Sequence, residues 1–154
     1  MFEIVEMTEE YAEVISKWTY LPPYEIYSMK PTNDEIEQLM NGLHVAVIEG
    51  NELVGFAAFG WSAQVICPES EEMYMDESYT DIAFGLKPQL CDRGLGLKLV
   101  KCSVDYIKKL FPEDGVRLTV RKDNIRARKV YERAGFHKDV EFSCGKDKFV
   151  TMIL

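Results

Sequence analysis

The stretch from Asp81 to Val100 constrains this chain most, because it joins a strand-like run to a helix through two glycines. Ile82 to Leu86 is a short apolar run, Pro88 closes it, and Gly94 and Gly96 stand where a helix would begin. A helix entered through glycines presents free N–H groups and the positive end of its dipole, with little side chain to block a ligand, which suits a phosphate. The stretch is not a dinucleotide fingerprint, since Leu99 stands where the third glycine would fall, and no Gly-Lys-Ser/Thr follows for a P-loop. By itself it leaves two readings open, a phosphate site and an ordinary strand-to-helix turn.

A length of 154 residues predicts a single domain over residues 1–154, large enough to bury a core without staples. No run approaches the roughly 18 apolar residues of a membrane span. The N-terminus carries no basic region ahead of an apolar core, so no signal peptide is expected and a cytoplasmic location follows as the default. Cys67, Cys91, Cys102 and Cys144 are unevenly spaced without a Cys-x-x-Cys pair, and only His44 and His137 could join them as ligands. Neither a disulfide framework nor structural zinc is therefore expected. The net charge of -8 argues against nucleic acid as a partner, yet its distribution is uneven. Lys87 to Lys138 holds 14 Lys and Arg against 6 Asp and Glu, while the remainder holds 4 against 20. Such a division suits an anionic ligand on one side and a cationic one on the other, or simply two solvated faces.

Taken in order, Phe2 and Ile4 alternate like a strand, and Thr8 can cap a helix with Tyr11, Val14, Ile15 and Trp18 at helical spacing. Tyr20 to Lys30 is broken by Pro22 and Pro23, and its tyrosines 20, 24 and 27 either pack the core or line a substrate mouth. Thr32 to Glu35 reads as a capping box for a helix ending near Gly42. His44 to Glu49 and Glu52 to Phe59 read as a hairpin through Gly50-Asn51. Cys67 to Ser78, acidic throughout, is expected as a mobile loop or a short edge strand with a loop. A helix from Gly94 to Phe111, a strand at Val116 to Val120, a helix capped by Asn124 and stopped by Gly135, and strands at Phe136–Phe142 and Lys148–Leu154 complete a mixed α/β order.

Two stretches together resemble the GNAT superfamily of acetyl-CoA-dependent N-acetyltransferases. Cys91-Asp92-Arg93-Gly94-Leu95-Gly96 is similar to that family's Gln/Arg-x-x-Gly-x-Gly/Ala pyrophosphate loop, and Asn124 to Phe136 matches its Asn-x-x-Ala-x-x-x-Tyr-x-x-x-Gly-Phe element. The resemblance implies the GNAT fold: a mixed, mostly antiparallel sheet of six to seven strands flanked by about four helices and splayed at the cofactor cleft by a bulge in the central strand. Cys91 replaces the family's leading Gln/Arg and Asp92 its following glycine, which sets a carboxylate beside a pyrophosphate site, with Arg93 as a compensating charge.

The resemblance further implies acetyl-CoA as cosubstrate, no metal, and a small-molecule or peptide amine as acceptor, with pairing into a homodimer a family habit. Phe84, Leu86, Arg93, Gly94, Leu95, Gly96, Asn124, Ala127 and Lys129 are the implied cofactor contacts, with Arg126 and Arg128 as further candidates for the adenosine 3′-phosphate. Tyr131 stands at the general-acid position, where a phenol of pKa about 10 donates to the CoA sulfur. Asp81 is the candidate base, with Glu77 and Glu52 as rivals. The acidic N-terminal part suits a cationic amine, and a non-catalytic acyl-CoA-binding module is the competing reading.

Overall fold

In the computed structural model, which describes Met1–Leu154, the strands are β1 (Phe2–Glu6), β2 (His44–Glu49), β3 (Glu52–Phe59), β4 (Tyr79–Leu86), β5 (Gly115–Arg121), β6 (His137–Cys144) and β7 (Asp147–Ile153). They form one seven-stranded sheet in the order β1-β2-β3-β4-β5-β7-β6. Only β4 and β5 run parallel; every other neighbouring pair is antiparallel. The expected mixed, mostly antiparallel α/β architecture is what the chain adopts.

Four α-helices flank the sheet: α1 (Glu9–Ser16), α2 (Asn33–Leu39), α3 (Gly96–Leu110) and α4 (Ile125–Arg133). The hydroxyls of Thr8 and Thr32 and the side-chain oxygen of Asn124 accept from N–H groups three residues on, as their residue types dictate. Helices α1 and α2 bury Ala12, Ile15 and Leu39 with Ala46 and Phe56 on one face. On the other, α3 buries Val100, Val104 and Ile107 against Ile82, Val116, Leu118 and Val120, with Val130 and Tyr131 of α4 beside them. Each such fully buried aliphatic side chain contributes about 1.5–3 kcal/mol, so these two seams hold the layers together.

Three expectations are corrected. The acidic stretch forms no edge strand and is not wholly irregular: Pro68–Tyr74 is a 3-10 segment, with a turn after it. Tyr74 pins it, its Oη accepting from the Val65 N–H at 3.0 Å and lying 2.7 Å from Thr119 Oγ1. A disulfide also joins Cys67 to Cys144, 77 residues apart, so the uneven cysteine spacing concealed one bridge. The third concerns the central strand. The β3–β4 register runs unshifted from Phe59↔Ile82 to Gly55↔Leu86, so β4 carries no bulge and the sheet opens by divergence.

Glycine at 55 and 85 permits that close β3–β4 approach. A side chain on Gly85 would collide with the Phe56 ring that covers it, and a Cβ on Gly55 would stand 2.8 Å from the Gly85 carbonyl oxygen and 3.2 Å from Leu99 Cδ1. A backbone oxygen in a paired strand has little room to yield. Gly55→Ala is therefore expected to destabilise the fold by about 1–3 kcal/mol, read as a lower midpoint in urea denaturation with an unchanged slope.

Candidate active site

Past Ile82↔Leu118 the parallel strands stop pairing. β4 continues against β3 to Leu86, while β5 continues against β7 to Arg121↔Phe149. Between the two arms lies a cavity of about 480 Å³, a size ordinary for a small-molecule site. Lys87 N–H donates to the Val54 carbonyl at 2.8 Å, so strand alternation turns the backbone of Phe84 and Leu86 to the opening. On that edge the N–H groups of Phe84 and Leu86 are free of β5, while the Leu86 carbonyl is taken by Tyr20.

One wall ends in the N-terminus of α3. Gly94 enters it at φ +74, no side chain caps it, and its first turn holds no acid. The N–H groups of Gly96, Leu97 and Lys98 precede the first i→i−4 bond, from Leu99 to the Leu95 carbonyl. α1, α2 and α4 all carry a side-chain cap, whereas α3 leaves its first donors without one, the arrangement that suits an anion.

The facing wall is α4. Tyr131 lines the cavity with its ring 5.8 Å from Phe84 and 6.3 Å from Phe136. Burial, reinforced by nearby Tyr27, pushes its phenol well above the ordinary value of 10, so it holds its proton at neutral pH. Asn124 is fixed by both ends of its amide: Oδ1 accepts from Ala127 N–H, and Nδ2 donates to Tyr27 Oη at 3.1 Å.

A roof crosses the cavity between α1 and α2. Tyr20 Oη donates to the Leu86 carbonyl at 2.7 Å, the Tyr24 ring lies 3.7 Å from the Arg126 guanidinium carbon, and Tyr27 holds Asn124. Arg126 Nη1 also donates to Asp92 Oδ1 at 3.0 Å. The tyrosines left open between core and mouth thus cover the cavity, tied to β4 and α4.

Of the residues singled out in the sequence, Phe84, Leu86, Gly94, Leu95, Gly96, Asn124, Arg126, Ala127 and Tyr131 line this cavity, and Arg128 does not. Arg93 and Lys129 are exposed outside it. Asp81 is not at the cavity either. It is 3 % exposed and accepts from Arg117 Nε at 2.7 Å, Arg117 Nη2 at 2.9 Å and Gln64 Nε2 at 3.0 Å. With both oxygens engaged it is an ion-pair partner, not a carboxylate facing a substrate; its rivals Glu77 and Glu52 are exposed and also lie outside the lining. Hydrogen bonds to Asp81 raise the Arg117 pKa, and the guanidinium sits 5.3 Å from each of the Tyr74 and Tyr79 ring centres. Arg117 and Gln64 drew no notice in the sequence, since only strand register reveals Asp81↔Arg117.

A forked parallel strand pair, an uncapped glycine-led helix and a protonated phenol in one cavity define a cleft of the acyltransferase type. The chain belongs to the Acetyltransferase (GNAT) family, whose model it matches over residues 9–136. It is 27% identical over 100 residues to the spermine/spermidine N(1)-acetyltransferase of Bacillus subtilis (strain 168), a match covering 65% of this chain and 62% of that relative. Among solved structures it is similar to aminoglycoside acetyltransferase AAC(6')-Ib in complex with coenzyme A, with a TM-score of 0.80 at 21% identity, over 100% of this chain and 94% of that one. A GNAT-family acetyltransferase from Bacillus anthracis gives a TM-score of 0.73 at 15% identity, over 99% and 93% of the two chains.

The buried ion pair yields a test of its structural role. Arg117→Ala leaves the Asp81 carboxylate buried without its cation and is expected to cost about 3–5 kcal/mol in chemical denaturation. Replacing both residues with apolar ones of similar volume is expected to restore much of that loss.

Proposed function

We propose that this protein transfers an acetyl group from acetyl-CoA to a primary amine of a cationic small molecule or peptide, by direct attack in a ternary complex. What carries this reading is the convergence of the α3 N-terminus, the open β4 edge and the protonated Tyr131 on one cavity. The site fits the cofactor by its donors: free N–H groups for a diphosphate, and an unpaired strand edge for an amide-bearing arm. Acetyl-CoA, when bound, supplies an acyl thioester and a thiolate leaving group.

The chain's own groups supply the rest. Gly94 to Lys98 receives the pyrophosphate, and backbone N–H on the Phe84–Leu86 edge polarises the acyl carbonyl. The amine nitrogen forms the new C–N bond as the C–S bond breaks, and Tyr131 Oη gives its proton to the departing sulfur. The cationic amine gives one proton to solvent to become the neutral nucleophile and a second as the amide forms, and solvent returns a proton to the Tyr131 phenolate. The one carboxylate in the lining, Asp92, is held by Arg126.

A cationic acceptor is supported by the acid-rich segment that is hydrogen-bonded to one cavity residue. Val65 lines the cavity and its N–H binds Tyr74, which ties the segment bearing the exposed Glu69, Glu71 and Glu72 to one residue of the cavity wall. The polyamine and aminoglycoside named for the similar proteins are of the same chemical class: primary amines on multiply charged cations.

Tyr131→Phe is expected to lower kcat by about 10²–10⁴-fold while the calorimetric CoA affinity stays within about twofold. An unchanged kcat would remove Tyr131 as the acid, and CoA binding without thiol release from any amine in a panel would make the cleft a binding module. With spermidine as acceptor, kcat/KM is expected to fall several-fold as salt rises from about 0.01 to 0.15 M, where screening shortens from roughly 30 to 8 Å. A neutral hydroxylated amine of low pKa should show no such fall.

A further inference from the structure

We infer that Asp92 is a built-in competitor for the cofactor's pyrophosphate, holding Arg126 in the free protein and yielding it when the diphosphate binds. This rests on the cavity being the CoA site. Asp92, Arg126 and Tyr24 line the same cavity as Gly94 and Gly96, so the pair stands beside the α3 donors. Asp92 Oδ1 accepts from Arg126 Nη1 at 3.0 Å, bridging the loop before α3 to the first turn of α4. From the other side the Tyr24 ring lies 3.7 Å from the guanidinium carbon. The cation is held between an aromatic face and a carboxylate, and a planar guanidinium so oriented presents its remaining donors edge-on.

Asp92 is the non-glycine residue with positive φ in this chain, at +62, a conformation that glycine adopts freely and Asp or Asn tolerates. A carboxylate at this point opposes a bound diphosphate in two ways, by direct repulsion and by occupying Arg126. Its side chain is 73% exposed and that of Arg126 34%, so the pair is solvent-screened and readily exchanged. A diphosphate, with more charge and more acceptor oxygens, takes the guanidinium bidentately. Asp92 thereby weakens the grip on both acetyl-CoA and product CoA, which favours release after transfer.

Calorimetric titration with CoA of the wild type, Asp92→Asn, Arg126→Gln and the double variant tests this. Asp92→Asn removes the charge and tolerates the same backbone, and is expected to bind CoA about three- to tenfold more tightly. Arg126→Gln is expected to bind more weakly by a similar factor. In the Arg126→Gln background the gain from Asp92→Asn should shrink to less than half, because no cation remains to be released. Dephospho-CoA, which keeps the pyrophosphate, should show the same gain as CoA; its loss with this ligand overturns the pyrophosphate assignment. Equal gains in both backgrounds, or none in the wild-type background, overturn the competition for Arg126. Circular dichroism melts confirm that each variant is folded. A folded wild type that binds no CoA overturns the cofactor reading itself, and the competition with it.

Discussion

The ion pair between Asp81 and Arg117 sits at the closed end of the fork on which the site depends. The two residues are direct partners in the parallel register, one pair before β4 and β5 separate. Both are almost fully buried, so each is costly to desolvate, and the arrangement holds because the carboxylate is satisfied by two guanidinium nitrogens and Gln64. A slip of one residue between the strands would turn one charge to the opposite face and leave the other buried without its partner. The pair therefore anchors the register at the point where the strands part and the cavity opens.

Above the fork, the roof shows how a tyrosine-rich irregular segment acquires a role. Composition alone left Tyr20, Tyr24 and Tyr27 open between core packing and a substrate mouth. Their partners, the Leu86 carbonyl, Arg126 and Asn124, lie on elements that border the α3 N-terminus. The roof thus joins the chain's first third to the arms of the fork. The Cys91-Asp92 departure from the family loop also changes meaning: the charge beside Asp92 is Arg126 on another helix, while Arg93, the neighbour in sequence, points to solvent.

The strands, the four helices and the parts of the cavity lining on the glycine loop and α4 were legible because each leaves a local mark. Hairpins, caps and helical faces repeat over two to four residues, and the Asn124 to Phe136 element spans one helix with its stop. The acidic stretch was misjudged because charge density argues for solvation, whereas one aromatic hydroxyl and one disulfide decided its place. Asp81 was misjudged for a related reason. A carboxylate near the start of a central strand looks available until the facing strand is known.

Residue pattern by itself determined the α/β order, the glycine-led entry to α3 and the phenol on α4, all of which rest on contacts between near neighbours in the chain. Tertiary structure alone decided the long-range pairs: Asp92 with Arg126 at a separation of 34 residues, Asp81 with Arg117 at 36, Cys67 with Cys144 at 77, and Tyr27 with Asn124 at 97. Such partners are set by strand order and register, which bring distant segments to one point in space, and periodicity along a chain carries no record of which segments those are.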